Sequence, residues 1–199
     1  MTAEYYYTVN QPAVAEYKDK GSKFIAYLYP ITTPEEFKEK LQALKKLHPK
    51  ANYHCFAYRL GLNKNNFRVS DDGEPSGTAG KPILGQIDSK QLSDVLIVVV
   101  RYFGGTLLGV PGLINAYKTS AVMVLQLAPI IRKPVTKLCV LHFDYTQMND
   151  VMRYVKALNL EIKEQEIQLF CTLKVEVPVN RVEDFENLIR DMRLDYKFQ

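Results

Sequence analysis

The sequence predicts an α+β protein built in two parts. Residues 95–100 are an unbroken β-branched and aliphatic run, which is typical of a strand covered on both faces. From residue 136 the pattern reads strand, helix, strand, strand, helix and a short final strand, the ferredoxin-like βαββα(β) plan. Charge also changes along the chain: residues 1–133 hold 17 Lys/Arg and 11 Asp/Glu, whereas residues 134–199 hold 9 and 11.

Length and composition narrow the class of protein. A chain of 199 residues with 47% apolar side chains suits one or two compact domains. No apolar run approaches the roughly 18 residues of a spanning helix, and the N-terminus lacks a secretory pattern. The three cysteines are widely separated and odd in number, which favours reduced thiols over a disulfide or zinc framework. We therefore expect a cytoplasmic protein with no membrane partner, and the basic first part makes nucleic acid a candidate partner, although ordinary solubility also explains it.

The first elements are two strand regions and a capped helix. Strands are expected at residues 4–10 and 13–29, with a turn at residues 18–21. Thr33, Pro34 and Glu36 form a capping box that starts a helix, which Pro49 ends. Lysines 45 and 46 lie near its end, where the helix dipole favours cations. They are interpreted either as a solvated helix end or as a nucleic-acid contact.

A strand at residues 52–60 carries His54 next to Cys55, and residues 67–69 form a short returning strand. Neighbouring residues of a strand point to opposite faces, so these two cannot form a catalytic pair. We expect Cys55 to be a buried small hydrophobe.

Residues 70–82 read S-D-D-G-E-P-S-G-T-A-G-K-P and are the least core-like segment. Their oxygens could hold a hard cation, although the full calcium-loop spacing is absent. The segment could instead brace the next helix, with Ser76 or Thr78 as its cap, or bind phosphate through backbone amides. We favour bracing combined with binding and leave bracing alone open. The loop residues assigned to this role are Asp71, Asp72, Glu74, Gly77, Thr78 and Gly80.

The central strand ends in R-Y-F-G-G, followed by a helical pattern. A cation beside uncovered glycine amides at a helix start is suited to holding an anion. A tight turn, with Arg101 paired to an internal carboxylate, is the alternative. The full set predicted to bind nucleic acid or another anion is Lys23, Arg68, Lys81, Arg101, Gly104, Gly105 and Lys118. The hypothesis requires Arg68, Lys81 and Arg101 to converge on one open cleft at the carboxyl end of the central sheet.

The remaining elements complete the two-part plan. Helices are expected at residues 83–92 and from Pro111 to Pro129, with a linker at residues 130–134. The second part has strands at residues 137–145, 160–167 and 169–177, and a short edge strand at residues 196–198. Its helices start at Thr146 and at Asn180, which is expected to cap with Glu183. Its titratable groups do not cluster as in a catalytic site, so we interpret it as an interaction or accessory domain.

Five motifs follow one another along the chain, at residues 22–24, 54–58, 70–82, 98–109 and 112–117. Together and in this order they resemble the IMPACT/YigZ family, as a bacterial two-domain member. The resemblance implies that residues 1–133 form the α/β sandwich of several ribosome-associated proteins, a mixed sheet packed on helices. It implies that residues 134–199 are similar to the last domain of elongation factor G. The resemblance also implies that eukaryotic relatives regulate translation in amino-acid starvation by binding an activator of the kinase that phosphorylates an initiation factor. They do so with help from an extra N-terminal domain that we do not expect here, so the binding of that activator is not transferred.

The function favoured by the sequence is a non-enzymatic nucleic-acid or ribosome-binding protein, with a role in regulating translation. No catalytic residue, metal or cofactor is assigned, because the chain lacks H-E-x-x-H and a nucleophile elbow. An enzyme acting on a phosphorylated or acidic small molecule is the first alternative, with Asp71, Asp72 and Glu74 as metal ligands or base and Arg101 on the anion. A protein-binding adaptor that works through the second part is the other.

Overall fold

The computed structural model of the chain describes residues 4–63 and 65–199. Residues 1–3, part of the segment in which no secretory pattern is expected, lie outside the described residues. The chain divides into two compact units. The first unit comprises residues 6–133, and the second comprises residues 134–199 together with Glu4 and Tyr5.

The first unit is built on a five-stranded sheet. The elements up to residue 134 are β1 (Tyr5–Val9), β2 (Ala13–Asp19), β3 (Ser22–Pro30), α1 (Pro34–Leu47), β4 (Tyr53–Arg59), β5 (Phe67–Ser70), α2 (Gly80–Ser89), β6 (Val95–Tyr102), α3 (Gly109–Leu127) and β7 (Ile130–Pro134). The strand order of the sheet is β2-β3-β6-β4-β5. All four pairings in it are antiparallel, so the mixed sheet expected from the resemblance is corrected. Helix α1 does join two parallel strands, β3 and β4, but β6 lies between them and separates them.

Helices cover both faces of this sheet. Helix α1 packs on one face, where the Phe37 ring lies 4.7 Å from that of Phe56 and 4.8 Å from that of Tyr58. Helices α2 and α3 pack on the other face around Val95, Ile97 and Val99. Residues 95–100 are all buried, because alternate side chains enter the two cores. The prediction of a strand covered on both faces is confirmed.

Two local features differ in outcome. The capping box of α1 is confirmed: the Thr33 hydroxyl accepts a hydrogen bond from the Glu36 amide, and Glu36 accepts one from the Thr33 amide. Residues 130–134, expected as a linker, instead form β7, which pairs with β1 in a two-stranded sheet. Backbone pairing with a strand distant in sequence leaves no signal in the sequence of either partner alone.

The second unit has the ferredoxin-like arrangement, which together with the first unit confirms the α+β fold class. Its sheet has the order β11-β8-β10-β9, and every pairing is antiparallel. Its elements are β8 (Thr136–Asp144), α4 (Met148–Ala157), β9 (Glu161–Glu166), β10 (Phe170–Pro178), α5 (Val182–Asp191) and β11 (Asp195–Phe198). Asn180 does not cap α5 as expected, because its side chain donates to the Tyr5 hydroxyl and a 3-10 turn precedes the helix.

Candidate functional site

The segment between β5 and α2 is organised around the Asp71 carboxylate. Its Oδ2 accepts the Gly77 amide at 2.8 Å, and its Oδ1 accepts the amides of Ala79 and Gly80 at 3.0 and 2.8 Å. Burial raises the pKa of this carboxyl, but the amide bonds outweigh it and leave the pKa below its ordinary value. Asp71 therefore supplies the cap of α2 that was expected from Ser76 or Thr78. Thr78 donates instead to the Pro75 carbonyl oxygen.

Glu74 lies at the centre of a buried polar cluster. Its side chain accepts hydrogen bonds from Arg101 Nη1 at 2.5 Å and from the Tyr117 hydroxyl at 2.7 Å. Glu74 is 7% exposed and Arg101 is 4% exposed, so the ion pair is removed from solvent. Three elements, the loop, β6 and α3, are thereby joined through one carboxylate.

Arg101 does not bind an anion from solvent, which corrects the central sequence expectation. Besides Glu74, its guanidinium donates to the Ser22 hydroxyl at 3.3 Å. Its Cζ lies 5.3 Å from the centre of the Phe24 ring and 5.8 Å from that of Tyr53. A buried guanidinium requires a partner, and the loop supplies that partner as Glu74. The alternative weighed for this residue, pairing with an internal carboxylate, describes its position.

Asp72 closes the loop against β4. Its Oδ2 accepts the His54 amide at 2.7 Å and lies 3.9 Å from His54 Nδ1. Asp72 has a φ of 45°, in the left-handed region that Asp tolerates better than most residues. Burial lowers the pKa of His54 below its ordinary value. Asp72, like Asp71, makes contacts that hold the fold.

Cys55 is unsuited to nucleophilic catalysis. It is fully buried, and its thiol contacts the Asp71 carbonyl oxygen at 3.0 Å and the Tyr117 hydroxyl at 3.3 Å. Burial strongly raises the pKa of the thiol, so the thiolate needed for attack does not form near neutral pH. His54 packs with the opposite face of the sheet, as the strand alternation predicts.

Glycine occupies positions 104 and 105 for different structural reasons. A Cβ at Gly104 would lie 1.9 Å from the Gly21 carbonyl carbon, so only glycine permits this approach of two backbones. The Gly104 amide is also engaged, because it donates to the Ser22 hydroxyl at 3.2 Å. Gly105 has a φ of 86°, which favours glycine, and its would-be Cβ meets open space. The expected pair of uncovered amides is therefore reduced to that of Gly105.

The remaining predicted cations do not meet in one cleft. Lys23 lies on the α1 face of the sheet and pairs with Glu16 at 2.7 Å. Arg68 is exposed on the same face, with its Cζ 5.9 Å from the centres of the Phe37 and Phe56 rings. Lys81 and Lys118 are exposed on α2 and α3, the helices that pack on the other face. The convergence of Arg68, Lys81 and Arg101 on one open cleft is contradicted.

A different group of cations gathers at the carboxyl end of β6. Strand pairing sets Lys23 beside Tyr102. The C-terminal end of α1 lies at the same place, as the distance of 2.8 Å between His48 Nδ1 and the Tyr102 hydroxyl shows. The elements that meet here contribute exposed carboxylates from Glu16 and Asp72 and a partly exposed one from Asp19. Glutamates 35, 36 and 39 belong to the opposite end of α1. Six lysines lie at this end, and we refer to them together as the basic end: Lys18, Lys20, Lys23, Lys45, Lys46 and Lys50.

The sequence reasoning missed a chain of aromatic groups beside Lys23. The Tyr27 hydroxyl lies 2.6 Å from His48 Nε2, and His48 Nδ1 contacts Tyr102. Burial and then the charge of Lys23 lower the pKa of His48, so the ring is neutral, with one nitrogen donating and the other accepting. Tyr27 and Tyr29 alternate with buried residues along one strand, and this spacing was a signal that both rings share a face.

Within residues 4–63 and 65–199, no three His, Cys, Asp or Glu side chains are grouped to hold a metal ion. Across the same ranges, no helix combines the length and apolar character needed to cross a membrane.

Comparison with known proteins sets the family. The model of the Impact N-terminal domain matches residues 20–125, more than half of the chain. The chain belongs to the IMPACT family. It is similar to the IMPACT family member YvyE of Bacillus subtilis (strain 168), with 35% identity over 80% of this chain and 73% of that protein. An IMPACT family member of Haemophilus influenzae is 35% identical over 91% of this chain and 89% of its own.

A solved structure covers both units. It is described as the crystal structure of a hypothetical protein, and it aligns with 98% of this chain and 97% of its own. The TM-score is 0.78 and the identity is 30%. The likeness supports the α+β architecture of both units.

Proposed function

We propose that the protein is a non-enzymatic RNA- or ribosome-binding member of the IMPACT family, with a role in regulating translation. The observation that carries the proposal is the asymmetry of charge in the first unit. Exposed lysines of the basic end gather at the carboxyl end of β6, while the acidic first turn of α1 lies at the other end. Phosphate groups are the natural partners of such a surface.

The positions of the loop carboxylates support this proposal over an enzyme. Glu74 is bonded to Arg101 and Tyr117, and Asp71 accepts three amides, so neither carboxylate is presented to a substrate. A general base must reach the proton that it removes, and a metal site needs several ligands that point to one centre. The arrangement of the loop directs the carboxylates of Asp71 and Glu74 inward, and Asp72 is the loop carboxylate that stays exposed.

The proposed contact set differs from the sequence prediction in its arginines. Lys23 remains in it as part of the basic end, and the amide of Gly105, in the exposed loop after β6, remains in it as well. Lys81 and Lys118 are proposed as secondary phosphate contacts on the other face. Arg68 is proposed only as a peripheral contact, because its guanidinium lies over two aromatic rings.

The test is a titration of the full chain with purified ribosomes and with structured RNA at about 50 mM and about 200 mM salt. The variant Lys46→Glu should weaken binding and reduce its salt dependence. Lys38→Glu, on the same helix but nearer its acidic end, is the matched control and should weaken binding much less. Failure of the wild-type protein to bind either target at low salt would exclude the proposal.

An exposed apolar tip favours a second function, that of a protein-binding adaptor. Phe170 is 77% exposed and Leu169 is 71% exposed, with Ile167 and Tyr145 also exposed. The Tyr145 amide donates to the Leu169 carbonyl oxygen, so these side chains lie together at one end of the second unit. Apolar side chains presented in this way suit a pocket on a protein partner. The double variant Leu169→Ser/Phe170→Ser should lose that partner in a pull-down with the full chain and keep RNA binding.

A further inference from the structure

Part of the α1 face of the sheet keeps large apolar side chains accessible. Helix α1 packs over β4 and the adjoining part of β6, whereas β2 and β3 continue beyond it. Val14 is paired with Tyr27 across these strands and is 50% exposed, and Tyr27 and Tyr29 are partly exposed. We call this surface, made of Val14, Tyr27 and Tyr29, the tyrosine face.

The two tyrosine rings form a preorganised pair. Their planes are parallel within 4°, and their centres are 6.3 Å apart. Tyr27 is fixed by its hydrogen bond to His48, and both rings pack partly against the core beneath. Rings held in this way lose little conformational freedom when a flat ligand is placed against them.

Cations border the tyrosine face. Lys40 Nζ lies 5.6 Å from the centre of the Tyr29 ring. At the other border, Lys23 and Lys18 share the single carboxylate of Glu16, at 2.7 and 3.3 Å, which leaves a positive surplus. Aromatic rings between ammonium groups match the chemistry of a ligand that alternates flat bases with phosphates.

We propose that the tyrosine face binds single-stranded RNA, with bases stacked on Tyr27 and Tyr29 and phosphates held by Lys23 and Lys40. This inference rests on the proposed function and adds the strandedness and the base-contacting residues. A duplex buries its base faces in its own stack, so only unpaired bases can pack on the rings. The contacts read no base edge, and the binding is therefore expected to be tolerant of sequence.

The experiment uses the full chain and fluorescein-labelled oligouridine of about 12 nucleotides, with a duplex RNA of equal length, read by fluorescence anisotropy. Tyr29→Leu keeps an apolar side chain but removes the ring, and it should weaken binding of the single strand by about 5- to 150-fold. Tyr29→Phe keeps the ring and should bind as the wild type does. Binding of the duplex should be equal in all three proteins.

A second measurement reports the place of contact directly. Oligouridine that contains 4-thiouridine, cross-linked to the wild-type chain by near-ultraviolet light, should attach to the peptide that carries Tyr27 and Tyr29. Attachment elsewhere would overturn the inference, as would equal binding of the single strand by wild type and Tyr29→Leu. In either case the proposed function stands if Lys46→Glu still weakens RNA binding. If the wild-type chain binds neither RNA nor ribosomes, the proposed function itself fails.

Discussion

The buried pair of Glu74 and Arg101 makes a quantitative prediction that separates bracing from chemistry. Replacing Glu74 by Leu leaves the guanidinium buried at 4% exposure with its carboxylate removed, and Tyr117 loses an acceptor. Breaking a buried ion pair by removing one partner costs about 3–5 kcal/mol. Such a loss is a large fraction of the roughly 5–15 kcal/mol that holds a typical domain folded.

The double variant carries the sharper test. Replacing both Glu74 and Arg101 by Leu removes both charges, and apolar replacement of a buried pair is often close to neutral. We therefore expect the double variant to lose less free energy of unfolding than the two single variants lose together. The difference should be at least about 2 kcal/mol, within the coupling range of contacting residues. Additive effects would show that the two side chains act independently.

Urea unfolding at about 15 °C, near the usual maximum of stability, gives the required free energies. The chain has no tryptophan, and nine of its 13 tyrosines lie in residues 6–133, so near-ultraviolet circular dichroism reports mainly on the first unit. The transition of the second unit is the internal control and should not move. If Glu74→Leu changes stability by less than about 0.5 kcal/mol, as surface substitutions do, the bracing argument is refuted.

Three further predictions follow from the same geometry. Asp71→Ala should lower the free energy of unfolding by about 2–4 kcal/mol, because three amides lose a charged acceptor. Since the folded pKa of Asp71 is depressed, this contribution should be present above about pH 4 and lost as pH falls through the folded pKa. Acid unfolding of the wild type and the variant would measure it. Gly104→Ala should lower the free energy of unfolding by at least about 2 kcal/mol in the same urea assay, because the new Cβ collides with Gly21. Gly85→Ala is the control: Gly85 lies in a helix with open space around it, so this change should be neutral or stabilising by up to about 1 kcal/mol. His54 should titrate below its ordinary pKa of about 6.5 by NMR, because burial disfavours its charged form. Its contribution to stability is therefore present above about pH 6.5 and is lost as pH falls through the folded pKa; a pKa at or above about 6.5 would contradict the assigned environment.

The sequence predicted the elements well where local periodicity and local capping decide the structure. The buried run at residues 95–100 and the capping box at Thr33 are examples, since each depends on residues close together in the chain. It failed at residues 130–134, where strand formation depends on pairing with β1. It also assigned the wrong capping residue to α2, because the Asp71 carboxylate reaches amides six to nine residues further along the chain, across a loop.

The residues of the candidate site were predicted, and the internal pairing that Arg101 makes was one of the two roles left open for it. Arg101, Glu74 and the loop glycines were singled out because charge and glycine concentrate there, but those patterns are the same for a binding loop and for an internal brace. Only the distance between positions 74 and 101, which are 27 residues apart, decides between them. The Tyr27–His48 contact was missed because it joins a strand to the end of a helix across 21 residues, which no local pattern reports.

These assignments change which variants can report on function. Because Asp71, Glu74 and Gly104 hold the first unit together, a variant at any of them lowers the fraction of folded protein. A loss of activity in such a variant therefore reports its lower stability. Lys46 is different because its side chain is exposed, so a change there leaves the core packing intact. Tyr29 is partly exposed and packs against the core, so Tyr29→Leu and Tyr29→Phe, which keep an apolar side chain there, are the suitable variants. The loop at residues 70–80 and Gly104 therefore serve to hold the fold of this chain, and the binding surface must be sought in the residues around them.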